Sequence, residues 1–220
     1  MILRYIPYVQ VNFVFGLDTD QGAGPFELTK RFLDLVPGAF PAYNLLTAFG
    51  QAAPLNIELQ RAGRVLPVPF HFLNNFQAMN VKPLNYAWTE FYDYIVDLLK
   101  YSFSWRSIRR RFVVQGPTVP GWINILRSLS SEGFLGNGRY KYQRMIRQRF
   151  DKDSAMRMFF EGETTEIPSF YRERVKQDLG LFWEFLPQGA LEYDPNLYFK
   201  KYIASRKVEQ QQSTNTPAKS

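Results

Sequence analysis

Residues 11–62 constrain the fold most, because they contain two strand-like segments that each precede a helix-like segment. The first segment is a near-continuous apolar run up to Gly16, of the kind that parallel strands buried on both faces show. A polar loop with Asp18 and Asp20 follows, and Pro25 then stands where a first helical turn accepts a residue without an N–H. The pattern predicts the order strand, helix, strand, helix.

The first predicted helix, residues 25–36, has its apolar residues mostly on one side and ends at Pro37-Gly38: Phe26, Leu28, Phe32, Leu33, Leu35 and Val36. The second strand is predicted at residues 42–49 and the second helix at residues 55–62. Two consecutive strand–helix units joined by short loops predict right-handed crossover connections and a parallel sheet. Because ligands bind at the carboxyl ends of parallel strands, residues 16–22 and 47–54 are the candidate site segments.

The same residues resemble the last part of a radical SAM (β/α) barrel, of the group that carries an N-terminal cobalamin-binding domain. The resemblance rests on the sequences FVFGLDTD, PFELTKRFLDLV, YNLLTAFG and APLNIELQRAGRVL. In that group an acidic loop and a helix follow a Phe-Gly-Leu-like turn, and the next strand leads into a Pro-Gly-Thr-Pro-Leu-like loop and a helix ending Arg-Glu-Gly-Arg-Leu. Here the loop reads GQAAPL and the helix end reads RAGRVL, so order and spacing match and the letters match in part.

The resemblance continues more weakly through NNFQAMNVKP to the ending YSFSWRSIRRRF, and it covers about half of the chain. It implies a partial (β/α) barrel segment of parallel strands, and the periodicity of the later residues predicts an all-helical C-terminal extension, so the expected fold class is α/β. The expected divisions are the barrel portion at residues 1–66, a connector at 67–84, a helical region at 85–208 and a disordered tail at 209–220.

The resemblance also implies the cofactors of the intact enzyme, which are S-adenosylmethionine, a 4Fe-4S cluster and, for this group, cobalamin. Such an enzyme makes a carbon radical, with methyl transfer or ring chemistry as the outcome. The family binds its cluster through a C-x-x-x-C-x-x-C loop, whereas this chain has no cysteine and therefore no thiolate ligand. We therefore expect a C-terminal fragment that retains no cofactor and is catalytically silent alone, with the missing N-terminal barrel half as its partner.

Candidate cofactor contacts follow from the family pattern Gly-x-Ile-x-Gly-x-x-Glu, which lies beside the adenosine. Thr19 stands where the acidic residue of the pattern belongs, and Asp20 follows one residue later. The resemblance assigns to the adenosine side Asn12, Gly16, Asp20 and Ala48. The structural alternative is that Gly16 only allows the turn and that Asp20 only supports the following helix.

No residue pattern predicts a catalytic pair or a metal site. The single histidine, His71, lies between two phenylalanines, which is typical of a packed or capping residue rather than of a ligand. Three glutamates, Glu161, Glu163 and Glu166, precede a predicted helix, where they favourably meet its N-terminal dipole.

Charge divides the chain into two halves. Residues 1–99 carry six Lys or Arg against eight Asp or Glu, a balance of −2, and residues 100–220 carry 21 against 12, a balance of +9. The basic excess comprises Arg106, Arg109, Arg110, Arg111, Arg127, Arg139, Lys141, Arg144, Arg147 and Arg149. We interpret these residues as solvated faces of amphipathic helices, with a domain interface or a non-enzymatic basic binding module as the alternatives. Without a recognition motif the pattern disfavours nucleic acid.

Further helices are predicted at residues 86–112, with a break near 102–104, and at 154–161, 170–185 and 194–202. Residues 142, 146 and 150 share a helical face and predict a buried stripe. Strand character is expected at residues 77–81. No apolar run reaches the length of a membrane span and the start lacks a secretory signal, so the expected location is cytoplasmic.

Overall fold

The computed structural model of the chain describes residues 6, 8–48, 53–68, 79–132 and 140–187. Predictions that fall wholly outside these ranges concern His71, the helix at 194–202 and the tail at 209–220. Those that fall partly outside include the second strand at 42–49, the site segment 47–54, the connector at 67–84 and the strand character of residues 77–81.

A two-stranded parallel sheet lies at the start of the fold, in the strand–helix–strand–helix order that the sequence predicts. Strand β1 (Gln10–Phe15) pairs with β2 (Phe40–Leu45), from Gln10 opposite Phe40 to Phe15 opposite Leu45. Helix α1 (Gly24–Leu35) connects the strands and α2 (Pro54–Arg61) follows β2. The prediction of an α/β fold with parallel strands is confirmed. The described part of the chain contains only these two strands, so the barrel remains a prediction.

The second strand begins two residues earlier and ends four residues earlier than residues 42–49. Just after the end of the strand, the Thr47 hydroxyl donates to the Leu45 carbonyl at 2.9 Å, on the side of β2 that faces away from β1. Beyond it, Ala48 is already bonded to a side chain from a distant part of the chain.

Helices dominate the remainder of the described chain. They are α3 (Trp88–Ser102), α4 (Trp105–Gln115), α5 (Val119–Glu132), α6 (Lys141–Lys152), α7 (Ser154–Glu161) and α8 (Ser169–Leu179), with a 3-10 helix at Gly180–Phe185. The predicted break at residues 102–104 is confirmed, since Ser104 caps α4 by accepting from the Ser107 N–H at 3.3 Å. Predicted helix 170–185 is two elements, because Gly180 at φ +55° ends the α-helix.

An aromatic core joins the sheet to the helices. Phe15 stacks on Phe26 of α1 with ring centroids 4.9 Å apart, and Tyr92 of α3 meets Phe150 of α6 at 5.6 Å. The Trp88 indole N–H donates to the Phe160 carbonyl at 2.8 Å, which satisfies the one polar atom of a buried ring. Helix α3 therefore lies at the centre, between α1 on one side and the α6–α7 pair on the other.

The buried residues confirm the predicted apolar face of α6, whereas the buried face of α1 is narrower than predicted. Tyr142, Ile146 and Phe150 of α6 are buried as predicted. On α1, in contrast, Leu28 and Leu35 are exposed, at 67% and 73%, although the sequence places them with the apolar side. The buried residues of α1 are Phe26, Thr29 and Leu33, a stripe narrower than the sequence indicates, because only this side of α1 packs against the sheet and α3.

None of the helices in the described ranges combines the length and the apolar character needed to cross a bilayer.

Candidate functional site

The loop after β1 is closed by its own aspartate. One carboxylate oxygen of Asp20 accepts from the Gly16 N–H at 2.9 Å and from the Leu17 N–H at 3.1 Å. Gly16 has φ +89°, a conformation that favours glycine, and a Cβ built there would lie 2.5 Å from Cε of the buried Met79. The chain thus turns sharply at the end of β1 and packs directly against residue 79.

The loop after β2 is held by Asn80. The Asn80 side chain accepts from the Ala48 N–H and donates to the Ala48 carbonyl, each at 2.9 Å, and it is completely buried. The Asn80 carbonyl accepts from the Leu66 N–H at 2.7 Å. Because residue 79 contacts Gly16 and residue 80 binds Ala48, two consecutive residues tie the ends of both strands together.

A ring of polar contacts surrounds these loops. Arg64 binds both carboxylate oxygens of Asp18, at 2.9 and 2.6 Å, and its hydrogen bond lowers the pKa of Asp18. Asn85 donates from its amide to the carbonyls of Asp18 and Asp20, at 2.8 and 3.1 Å. The Tyr86 hydroxyl donates to the Gly22 carbonyl at 3.0 Å.

Three of the four residues assigned to adenosine meet at this end of the sheet. Gly16, Asp20 and Ala48 surround residues 79–80, whereas Asn12 is exposed and lies about 13 Å back along β1, at ~3.3 Å per residue. The main-chain groups of Gly16 and Ala48 are bonded within the chain, and the adenosine assignment stays a prediction. Sequence reasoning missed Asn80, although an amide between Met79 and Val81 is the pattern of a buried, bonded side chain.

We predict that Gly16→Ala lowers the free energy of unfolding by about 2 kcal/mol, from backbone strain at positive φ and from displacement of Met79. Gly63→Ala is the matched control, because Gly63 has φ +66° and no atom lies within 4 Å of its Cβ position. The control is expected to lose about 1 kcal/mol, from strain alone. Urea unfolding of both variants measures the difference, and equal losses would show that the contact with Met79 adds nothing.

The two outer edges of the sheet differ. Phe40 N–H donates to the Val9 carbonyl and Leu46 N–H to the Phe15 carbonyl, at 2.8 and 2.9 Å. Along a parallel strand the main-chain N–H and C=O groups of successive residues point to alternate sides. Even-numbered residues of β2 therefore bond to odd-numbered residues of β1. The main-chain groups of the remaining residues therefore point outward, away from the partner strand.

The outer edge of β2 is closed. Pro41 has no N–H, the Tyr43 N–H donates to the Tyr140 hydroxyl at 3.4 Å, and Thr47 occupies the Leu45 carbonyl. A proline and side-chain caps are the usual means by which a protein blocks an edge strand. A further strand cannot pair with this edge without displacing these contacts.

The outer edge of β1 is open along its middle. Asn12 and Val14 are exposed, Val14 at 47%, and no residue of the described ranges bonds to their outward N–H groups. Only at the end of the strand is the outward N–H used, where Gly16 donates to Asp20. Such an edge offers donors and acceptors to another strand.

Several arginines of the basic excess are engaged in contacts within the chain. Arg147 pairs with Asp93 and Asp151 at 2.6 and 2.8 Å, and Arg110 pairs with Asp34. Arg127 lies 4.4 Å from the centre of the Phe40 ring and donates to the Gln10 side chain at 2.7 Å. Arg110, Arg147 and Arg149 are therefore ion-paired within the chain, and the expectation that the chain does not bind nucleic acid stays a prediction.

Arg111 corrects the prediction that residues 106–111 are a solvated face. Its side chain is 3% exposed, donates to the Ser102 carbonyl and to the Ser128 hydroxyl at 2.9 and 3.1 Å, and lies over the Phe103 ring. Burial lowers the pKa of Arg111 to about 10. The reason is tertiary, because Arg111 points into the junction of α3, α4 and α5.

Among the described residues no group of three or more His, Asp or Glu side chains is arranged to hold a metal ion. Comparison of the chain with protein-family models, with curated proteins and with solved structures finds no match to any of them.

Proposed function

We propose that this chain forms the carboxyl-terminal part of a radical SAM (β/α) barrel of the cobalamin-binding group and is catalytically silent without the other barrel strands. The proposal combines the resemblance of residues 11–66 with one structural observation, the difference between the two sheet edges. An open β1 edge is expected of a chain to which the preceding strands are added, and the closed β2 edge requires a barrel that stays open on that side, because a closed barrel pairs its last strand with its first.

The chain's own residues do not fit an iron–sulfur cluster, because a zero-cysteine chain has no thiolate to offer. In the proposed assembly the cluster ligands come from the N-terminal barrel half. The radical chemistry of the family would then depend on residues of that half and not on residues of this chain. What this chain adds is the rigid end of β1 and β2, where Asp20 and Asn80 hold both loops in place.

The first test is the reading frame upstream of the Met1 codon. A frame that continues upstream and encodes C-x-x-x-C-x-x-C supports the proposal, and an in-frame stop codon contradicts it. With that frame in hand, the upstream segment and this chain are produced as separate chains and their association is measured by calorimetry.

We predict that Asn12→Pro weakens this association at least about tenfold, because it removes the outward N–H and places a ring on the open edge. The bonds between β1 and β2 are preserved, since the Asn12 N–H points away from β2. Asn12→Ala keeps the N–H and is expected to associate as the unchanged chain does. Equal affinity of the two variants, with unchanged circular dichroism, would remove the β1 edge from the proposal.

A second candidate is a non-enzymatic binding module that uses the basic helices. The observation that favours it is the surface of α4, where cationic and apolar side chains that are not used for folding lie together.

A further inference from the structure

Helix α4 carries a groove that neither the sheet nor the barrel proposal uses. The groove has a volume of about 740 Å³ and runs between α4 and the turn after α1. Its lining residues are Pro37, Trp105, Arg106, Arg109, Arg110, Val113 and Val114. All of them lie in described parts of the chain, so the groove is a feature of the folded surface.

Apolar side chains in this groove are exposed to an unusual degree. Trp105 is 71% exposed and Val113 67%, whereas Ile108 on the opposite side of α4 is buried. Residues 105, 109 and 113 are four apart and therefore form one row along the helix. The row spans about 12 Å, at ~1.5 Å per residue, which matches roughly two turns of a second helix.

Two arginines of the groove form no salt bridge within the described part of the chain, although the charge of Arg106 helps to lower the pKa of Asp34. Arg106 and Arg109 are exposed and make no hydrogen bond or ion pair with any residue that the structure describes. Arg110 differs, because Asp34 binds it from across the groove. The groove thus presents two available guanidinium groups beside an exposed indole.

We propose that the α4 groove binds an amphipathic acidic helix of a protein partner. In this arrangement carboxylates of the partner pair with Arg106 and Arg109, and an apolar side chain of the partner packs on Trp105 and Val113. Side chains spaced four residues apart form a ridge against which a second helix can pack. Arginine and tryptophan are also enriched among the residues that contribute most to binding at the centres of protein interfaces. The inference does not depend on the barrel proposal.

Other occupants match the charge less well. Residues 188–220 of the chain carry five Lys or Arg against three Asp or Glu, so this segment does not complement a cationic groove. A second copy of the chain brings a net charge of +7 toward the same surface. Nucleic acid requires a track of phosphate contacts, whereas Pro37, Val113 and Val114 offer apolar walls and no donor side chains.

The test uses a fluorescein-labelled helical peptide of about 14 residues, with leucines at i, i+3 and i+4 spacing flanked by glutamates. We expect micromolar binding in fluorescence anisotropy. The double exchange Arg106→Gln with Arg109→Gln is expected to weaken the affinity for the peptide about tenfold or more. Trp105→Ala is expected to weaken this affinity to a similar degree. A peptide of the same composition without the helical spacing is expected to bind more weakly by at least tenfold.

The matched control is the pair Arg157→Gln and Arg172→Gln, which removes the same charge from exposed positions of α7 and α8. This control is expected to bind as the unchanged protein does. Equal losses in both double variants would show that only net charge matters and would overturn the proposal. Failure of the peptide to bind would also overturn the proposal. The same holds if a single-stranded oligonucleotide binds more tightly than the peptide and the Arg106 and Arg109 exchanges abolish that binding.

Discussion

Above pH 10 the protein is expected to unfold steeply, because its buried tyrosines cannot ionise in place. Burial raises the pKa of Tyr43, Tyr92, Tyr142 and Tyr171 most, and it also raises the pKa of Tyr86, to about 12, and that of Tyr101. A folded-state pKa above the unfolded one means that the stabilising contribution is fully present below pH 10 and is lost as the pH rises toward the folded-state pKa. Each such tyrosine removes about 1.4 kcal/mol per pH unit in that range.

Arg111 acts in the opposite direction. Its folded-state pKa is lowered to about 10, so the unfolded chain binds more protons and this residue alone would make the fold more stable between about pH 10 and 12.5. The four tyrosines with the largest shifts, against one arginine, leave a net loss of about 4 kcal/mol per pH unit. Because domains are stable by roughly 5–15 kcal/mol, unfolding is expected within about one to four pH units above pH 10.

Near-ultraviolet absorbance of tyrosinate, recorded with circular dichroism, checks this expectation. The buried group should ionise only as the dichroism of the fold is lost. Tyr142→Phe removes one titrating hydroxyl and keeps the ring that packs against Phe170 at 5.6 Å, so its unfolding midpoint should move to higher pH. Ionisation of all tyrosines near pH 10 with an unchanged dichroism spectrum would contradict the expectation.

Asn80→Ala is expected to lower the free energy of unfolding by about 4 kcal/mol. The exchange leaves the N–H and the carbonyl of the buried Ala48 without partners, and each unsatisfied buried group costs roughly 1–3 kcal/mol. It also frees the loop after β2, because the side chain is the link between that loop and residues 79–80. Urea unfolding, followed by circular dichroism, measures the loss.

Asn85→Ala serves as the control for Asn80→Ala. The Asn85 amide also bonds to two main-chain carbonyls, of Asp18 and Asp20, but the residue is exposed and water replaces the lost donor. We expect a loss of about 1 kcal/mol or less. A loss at residue 85 as large as that at residue 80 would mean that burial is not the reason for the effect.

The spacing of neighbouring apolar residues in the sequence was sufficient to predict most of the strands and helices. The apolar run before Gly16, the proline at residue 25 and the spacing of apolar residues in α3 predicted strand and helices at the observed places. Short-range chemistry explains this success, because an element depends on the period of its own residues and on caps within a few positions, such as Ser104 and Asp153.

The candidate site was predictable only in part. The carboxyl ends of the two strands follow from the predicted parallel order, and Gly16, Asp20 and Ala48 do lie there. The residue that joins them, Asn80, is 32 positions from Ala48 along the chain, and its partner depends on how the intervening chain returns to the sheet. Sequence spacing carries no information about that return.

The arginines of α4 illustrate what the sequence by itself determined and what tertiary structure decided. The sequence determined that Arg106, Arg109, Arg110 and Arg111 lie on one helix and that their charge exceeds that of nearby acids. Tertiary packing decided the environment of each one. Arg111 is buried between α3 and α5, Arg110 forms an ion pair with Asp34, and Arg106 and Arg109 stay exposed. The physical reason is that a helix defines the direction of each side chain about its axis, while the environment in that direction is set by elements distant in the chain.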